Sequence, residues 1–316
     1  MGGKLPKVIA HADWSTHPNK RWVASAVLNG SAYTVGPPVN LVDAGRFVTT
    51  VIRQAAPGAA LIGFDFPIGL PEAYARRTGI HSFREFLQQL GSAPWHDFFV
   101  VAERPLDISL QRPFYPARPG GTAHRHLLAG LGLDTMEQLL RRCERPYPGR
   151  NQASSLFWTL GPKQVGKAAI AGWQDVLLPA LRPASGPVSL WPFDGELREL
   201  LDQGRCVLAE TYPAEACLHL GFSPPGRGWS KRNPADRCAQ GEHVLRWASQ
   251  RSVGLTPPLL ESIRTGFGNS AEGEDAFDAV VGVCSMLEVV LGYREDGAPA
   301  DPAVRDLEGW ILGQRA

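Results

Sequence analysis

Three short apolar runs in this chain each end in an acidic residue, and this pattern constrains the fold most strongly. The runs cover residues 8–13, 60–65 and 206–210, and they end at Asp13, Asp65 and Glu210. Strands buried on both faces read as continuous apolar runs, and the carboxyl end of such a strand lies where α/β proteins place their sites. A single acid there is usually a turn former or a helix cap. Three of them predict an α/β sheet whose acids converge.

A second acidic feature reads Glu-Asp-Ala-Phe-Asp-Ala near the C-terminus. Asp275 and Asp278 are three residues apart and share a face of a mostly apolar helix. Their small neighbours Ala279, Gly282 and Ser285 would let this helix lie close to a sheet. Like charges held together repel unless a cation lies between them, and a divalent metal is the commonest solution. The alternative is that the acids only complement the positive end of the helix dipole.

The chain begins with a predicted β-β-β-α-β arrangement. Asn29-Gly30 between two β-prone runs is a strong hairpin signal, and Pro57-Gly58 ends the following helix before the strand that carries Asp65. We expect strands over 7–13, 21–28 and about 31–36, and a helix over 42–55.

The middle of the chain is rich in proline and glycine, which break regular elements. At 316 residues the chain is longer than a usual single domain, so we expect a core formed by 1–72 and 186–316, with 73–185 inserted as a substrate-facing subdomain. Helical pieces are expected near 82–90, 134–142 and 164–181. Beyond the insertion we expect strands over 188–191 and 206–211 and helices over 195–203, 236–250, 257–265 and 274–291.

Composition excludes several classes of protein. The five cysteines are odd in number and widely spaced, with no Cys-x-x-Cys pair, so neither a disulfide framework nor a zinc site is indicated. No apolar run is long enough for a membrane span, and the N-terminus has no signal-peptide core. We therefore expect a cytoplasmic protein with no membrane partner.

The net charge of +1 argues against a generally adhesive nucleic-acid binder, but two segments are basic. Between Arg104 and Arg150 there are eight arginines and four acidic residues, and between Arg227 and Arg251 there are six basic and two acidic residues. Each segment is either a solvated face or a contact for a phosphate backbone. On the second interpretation, Arg141 and Arg142 contact phosphate.

Four motifs, taken in order, resemble a known family. They are His-Ala-Asp-Trp-Ser at 11–15, Gly-Phe-Asp-Phe-Pro-Ile-Gly-Leu-Pro at 63–71, Glu-Thr-Tyr-Pro-Ala-Glu at 210–215 and Glu-Asp-Ala-Phe-Asp-Ala at 274–279. The chain, apart from the insertion, is similar to the domain-of-unknown-function family numbered 429, regarded as predicted nucleases of the ribonuclease H fold. The last of these motifs also resembles the last acidic motif of RuvC-type junction resolvases. The resemblance implies a ribonuclease H-like mixed sheet with a β-β-β-α-β opening, flanked by helices and carrying a large, mostly helical or irregular insertion.

The same resemblance implies a nuclease or phosphodiesterase that uses two Mg²⁺ or Mn²⁺ ions. Asp13 would be the central metal ligand, Asp65 a second, and Asp275 with Asp278 the pair on the helix, while Glu210 sits where a further acid recurs in the family. In the ribonuclease H scheme one ion generates the attacking hydroxide and the other stabilises the leaving oxygen. Oxygen ligands suit these ions, and the absence of a His or Cys cluster argues against zinc. The implied partner is a nucleic acid or a nucleotide phosphodiester.

Further candidates each have two interpretations. Lys231 either neutralises a phosphate or is a solvated lysine, and Asp194 is either a metal ligand or a turn residue, because it precedes a glycine. No histidine stands out as a general base. The candidates, each more commonly a surface residue, are His17, His81, His124 and His126.

Two other functions remain open at this point. A phosphotransferase of the actin and sugar-kinase superfamily shares the strand-end acids, but it needs glycine-rich phosphate loops, and residues 13–18 contain no glycine. The other is a nucleic-acid or nucleotide binding module that keeps the acids without catalysis. Metal binding would separate these functions more directly than a substrate screen.

Overall fold

The computed structural model describes residues 4–148, 150–161, 164–182, 186–223, 225–226, 228–269 and 272–315. Within these residues the centre of the molecule is an eight-stranded sheet. Its strands are β1 (Val8–Asp13), β2 (Trp22–Asn29), β3 (Ala32–Val35), β4 (Val39–Asn40), β5 (Ala60–Phe64), β6 (Val188–Leu190), β7 (Cys206–Glu210) and β8 (Gly254–Leu255).

The sheet is mixed and mostly parallel. Its strand order is β6-β7-β5-β1-β2-β3-β8, with β4 paired to β2. β2 runs antiparallel to β1, β3 and β4, whereas the other pairings are parallel. Helices flank this sheet, so the predicted α/β class is confirmed.

The helices are distributed along the whole chain. They are α1 (Ala44–Ala55), α2 (Glu72–Thr78), α3 (Phe83–Gln89), α4 (His124–Leu131), α5 (Val165–Gly172), α6 (Leu178–Ala180), α7 (Leu197–Asp202), α8 (Pro213–His219), α9 (Pro234–Arg251), α10 (Pro257–Arg264) and α11 (Glu272–Val290). A π-helical stretch, Trp173–Leu177, joins α5 to α6. The predicted β-β-β-α-β order is present with one addition, the short β4 between β3 and α1. Asp43 caps α1, and its side chain accepts a hydrogen bond from the N–H of Arg46.

The sheet separates two apolar cores. Successive side chains of a strand point to opposite faces, so Ala10 and Ala12 of β1 lie in one core and Ile9 lies in the other. The first core also contains α1 and aromatic residues of the middle segment, residues 73–185, such as Phe98 and Trp173. The second is formed with α8, α9, α10 and α11.

The middle segment is more helical than the sequence predicts. Helices near 82–90 and 164–181 are confirmed, but α2 and α4 were not expected. The predicted helix over 134–142 is wrong, because two short 3-10 turns occupy Met136–Leu139 and Arg142–Glu144. Arg141, between them, has an extended backbone, and its side chain turns inward to bind Glu144 and Glu210.

The predicted strands and helices from 188 onward are confirmed, and α8 and β8 are additional. The chain does not end with α11, since a π-helical turn at Val304–Glu308 follows and Ile311 forms a parallel bridge with Glu210. In the part of the chain that the structure describes, no helix is both long and apolar enough to cross a membrane.

Candidate active site

Asp13 and Asp65 lie side by side at one edge of the sheet. β1 and β5 are parallel neighbours whose register pairs Ala12 with Phe64, so the residues that follow these two are adjacent. β1 ends at Asp13, and Asp65 directly follows β5. The backbone N–H of Trp14 donates a hydrogen bond of 2.6 Å to Asp65 Oδ1 and ties the two strand ends together.

Helix α11 brings Asp275 and Asp278 to the same edge. Asp278 is only 2% exposed, and both carboxylates lie close enough to raise the pKa of Asp13. The helix approaches closely because Gly282 has no side chain, and a Cβ there would lie 2.3 Å from the ring of His11 on β1. The predicted close approach of this helix to a sheet is therefore confirmed at Gly282. Asp13, Asp65, Asp275 and Asp278 are called the acid cluster below.

Lys231 places a positive charge within the acid cluster. Its ammonium group donates a hydrogen bond to Asp278 Oδ2, although a third of its side chain remains exposed. Burial acts to lower the pKa of Lys231, but the charges of Asp278 and Asp13 raise it above its usual value. Lys231 is thus held in an ion pair at the acid cluster, and its role towards a phosphate stays a prediction.

Lys20 is a cation near the acid cluster that sequence reasoning missed. It is exposed, and its charge lowers the pKa of Asp275. The β1–β2 pairing sets Trp22 opposite Asp13, so residues just before β2 lie at this edge of the sheet. Only that strand pairing, and no motif around residue 20, could have revealed it.

Three aspartates of the cluster, Asp13, Asp65 and Asp275, have a raised pKa. Burial raises the pKa of Asp13 well above its usual range, Asp65 and Asp278 raise it further, and Lys231 lowers it. Burial also raises the pKa of Asp65 to about 7, against the lowering effect of the hydrogen bond from Trp14. Burial and the charge of Asp278 raise the pKa of Asp275 to about 6. The cluster therefore contains more negative charge than its own cations compensate.

The donor set of the cluster matches a divalent cation in chemistry. Within the residues that the structure covers, no three His, Cys, Asp or Glu side chains are arranged to hold a metal ion as they stand. All the donors, however, are carboxylate oxygens, which Mg²⁺ and Mn²⁺ prefer, and an ammonium group already serves as the cation beside Asp278. The residues fit such an ion if Asp278 exchanges Lys231 for it.

Glu210 belongs to a different buried group, although it too ends a strand. Both of its oxygens accept hydrogen bonds of 2.6 Å from the guanidinium of Arg141, and one also accepts from the N–H of Ile68. Arg141 also pairs with Glu144 and donates to the carbonyl oxygen of Glu308. We call Arg141, Glu144, Glu210 and Glu308 the arginine network. The structure thus places Glu210 in an ion pair outside the acid cluster.

Asp194 has partners of its own outside the cluster. Its carboxylate pairs with Arg84 Nε at 3.2 Å and accepts the N–H of Leu190. Asp194 therefore closes its own turn, as its position before a glycine indicates.

Two of the histidines proposed as bases are engaged with aromatic residues. His124 stacks on Trp158 with ring centroids 3.9 Å apart, and His126 bonds the hydroxyl of Tyr115. His17 and His81 are exposed.

Another histidine, His11, lies on β1 two residues before Asp13, and no signal in the sequence marks it as a base. It is fully buried and shares a hydrogen bond of 2.9 Å between Nε2 and Thr211 Oγ1. Burial lowers the pKa of His11 to about 3, so its ring is neutral at physiological pH. A neutral, enclosed imidazole adds bulk to this site but no charge.

The basic segments offer fewer free charges than their composition indicates. Arg141 is fully buried, so the prediction that it contacts phosphate is wrong. Most other arginines of the first segment are engaged in ion pairs, namely Arg104 with Asp107, Arg118 with Glu103, Arg142 with Glu72 and Asp301, and Arg145 with Glu137. In the second segment Arg237 is buried and Arg251 pairs with Glu288, while Arg227 lies outside the described residues.

Comparison of the chain with protein-family models, with curated proteins and with solved structures gives no match. The resemblance to family 429 therefore stays a prediction.

Proposed function

We propose that the protein is a metal-dependent phosphodiesterase, most simply a nuclease, that binds Mg²⁺ or Mn²⁺ at the acid cluster. The observation that carries this proposal is the convergence of aspartates from three distant chain segments in one buried place. Asp13, Asp65 and Asp278 each come from a different element, and burial and mutual repulsion raise the pKa of Asp13 and Asp65. Such an arrangement is unfavourable unless a cation compensates it.

The order of the strands supports a ribonuclease H-like core for this proposal. That fold opens with three antiparallel strands, a helix and a fourth strand that returns parallel to the first. Here β3, β2, β1 and β5 are consecutive in the sheet, α1 connects to β5, and β7 lies beyond it. A helix that carries acids covers the same end of the sheet, as the last acidic motif of the resembled family implies.

Each residue of the cluster has a role in this proposal. Asp13, Asp65 and Asp278 would hold the ions, and Asp275, which is partly exposed, would complete their shell directly or through water. Divalent ions, when bound, lower the pKa of a water molecule and neutralise charge on a phosphate. The N–H of Trp14 orients the Asp65 carboxylate through its hydrogen bond. Lys231 would neutralise a phosphate oxygen if an ion took its place at Asp278.

The middle segment is anchored beside this site. Arg21 pairs with Asp175 of the π-helical stretch at 2.8 Å, and its Nε donates to the carbonyl oxygen of Ser15, two residues beyond Asp13. The same guanidinium lies 4.0 Å from the ring centroid of Trp14. The segment is thus anchored beside the strand end that carries Asp13, so the substrate approaches the acid cluster past this anchor.

Metal binding and hydrolysis test the proposal in sequence. Titration calorimetry with Mn²⁺ should show binding to the wild type and none to Asp13→Asn. Asp194→Asn is the matched control, because Asp194 also follows a strand but pairs with Arg84 outside the cluster. It should bind Mn²⁺ as the wild type does.

The second step uses a single-stranded oligonucleotide, a branched duplex and a mononucleotide phosphodiester as substrates in Mn²⁺. Wild type and Asp194→Asn should hydrolyse at least one of them, and Asp13→Asn none. Equal, metal-independent background from all three proteins would refute the enzymatic proposal. Binding of the oligonucleotide without cleavage would favour a binding module instead.

A further inference from the structure

We propose that the contact between His11 and Gly282 is a register lock that holds Asp278 against Asp13, so that His11 and Gly282 are positioning residues of the acid cluster. The inference rests on the proposed function, because the site that these residues position is the proposed metal site. It follows from how one face of β1 and one face of α11 fit together.

On the strand, His11 and Asp13 share a face because they are two residues apart. His11 pairs in register with Gly63 of the neighbouring strand. Its ring is fully buried and is held at Nε2 by Thr211. The ring therefore projects from the sheet in a fixed position, two residues before Asp13.

On the helix, Gly282 and Asp278 share a face because they are four residues apart. One helical turn advances about 5.4 Å, and two residues of a strand advance about 6.6 Å. A helix seated with Gly282 over His11 therefore places Asp278 close to Asp13. Met286, one helical turn after Gly282, also packs against a glycine of the sheet. A Cβ on that glycine, Gly63, would lie 2.6 Å from the sulfur atom of Met286.

The two interlocks differ in how easily they yield. A Cβ on Gly63 would meet the end of the flexible Met286 side chain at 2.6 Å and the Thr211 methyl group at 2.7 Å, whereas a Cβ on Gly282 would meet three ring atoms of His11 at 2.3 Å. Ordinary contacts begin at 3.4 Å, so the helix or the ring would have to move by about 1 Å. Metal–oxygen bonds of about 2.0–2.6 Å do not tolerate a displacement of that size.

The test compares the variants Gly282→Ala, His11→Ala and Gly282→Ala/His11→Ala with the wild type. Gly45→Ala is the matched control, because Gly45 lies in α1 and its Cβ would meet no atom closer than 3.6 Å. Calorimetric Mn²⁺ affinity should fall at least tenfold in Gly282→Ala, recover most of that loss in the double variant, and be unchanged in Gly45→Ala. Circular dichroism establishes that each variant is folded.

A folded Gly282→Ala variant with wild-type Mn²⁺ affinity would overturn the lock, as would a loss that His11→Ala does not relieve. Crystal structures of wild type and Gly282→Ala test the lock by a distance measurement that needs no metal. The lock predicts a longer separation between Asp13 and Asp278 in the variant, and an unchanged separation would refute it. If the wild type itself binds no Mn²⁺, the proposed function fails, and these two crystal structures still decide the lock.

Discussion

The acid cluster and the arginine network are both buried groups of carboxylates with one central cation, but they are compensated very differently. In the arginine network, Arg141 bonds both oxygens of Glu210 and one of Glu144, and backbone N–H groups bond Glu308. In the acid cluster, Lys231 forms a hydrogen bond with one carboxylate, Asp278. A guanidinium has five donors in a fixed fork, whereas an ammonium is a compact point charge.

This difference separates a structural group from a site that can change its occupant. The arginine network joins the middle segment to the end of β7 and to the turn at Val304–Glu308. Even there burial raises the pKa of Glu144 to about 7, although Arg141 lowers it. The network nevertheless has a cation that is locked in place by several bonds. The acid cluster has one that another cation could replace, and four substitutions test this contrast.

The largest effect is expected from Arg141→Met. This change leaves Glu210 and Glu144 buried without their cation, and breaking a buried pair from one side costs about 3–5 kcal/mol. Urea unfolding in EDTA measures the loss. Arg142→Met is the control, since its side chain is 39% exposed and surface pairs contribute about 1 kcal/mol or less. Equal losses from both changes would remove the distinction between the two arginines.

Asp13→Asn should not lower the free energy of unfolding as Arg141→Met does. Removing one charge from a repelling, buried group should leave the free energy of unfolding in EDTA at pH 8 unchanged or raise it by about 1–2 kcal/mol. It should also abolish any stabilisation by Mn²⁺. Glu210→Gln is the matched change in the arginine network and should destabilise. An Asp13→Asn protein that unfolds outright would instead indicate a structural role for Asp13.

The pH dependence of stability should follow the raised pKa of Asp65. Because the folded state holds this proton up to about pH 7, whereas the usual value is 3.8, the contribution of Asp65 is fully present below pH 4 and is lost as pH rises to 7. Glu144 titrates in the same range, so the informative quantity is the difference between Asp65→Asn and the wild type. The free energy of unfolding of Asp65→Asn minus that of the wild type, measured in EDTA at pH 4.5 and pH 8, should become more positive as pH rises. The same value at both pH values would contradict a raised pKa.

A smaller loss of stability than that from Arg141→Met is expected from Lys231→Met. Its partner Asp278 is buried, but a third of the Lys231 side chain is exposed, so the loss should lie below the about 3–5 kcal/mol of a fully buried pair and the fold should persist. Mn²⁺ should bind more tightly to this variant, since a competing cation is gone, while hydrolysis should slow. Arg232→Met is the control, because that side chain is 85% exposed. Weaker Mn²⁺ binding by Lys231→Met alone would show that the ion and the lysine do not compete.

Much of the fold was predictable because its signals are local. The apolar runs of β1, β5 and β7, the Asn29-Gly30 turn and the periodicity of α11 each depend on residues close in sequence. The helix over 134–142 was predicted wrongly for a reason that no local signal contains. Arg141 there leaves the helical conformation to reach Glu210, which is 69 residues away.

The sequence by itself determined that Asp13, Asp65 and Glu210 end buried strands and that Asp275 and Asp278 share a helix face, because periodicity and strand ends are properties of neighbouring residues. Only the tertiary structure decided which of these acids meet. Parallel pairing of β1 with β5 set Asp13 beside Asp65, and the fit of Gly282 over His11 brought Asp278 to them. Glu210, which has the same sequence pattern, received Arg141 instead. The charge environment of a buried carboxylate depends on side chains that approach it through space, and their sequence separation leaves no trace in the local pattern.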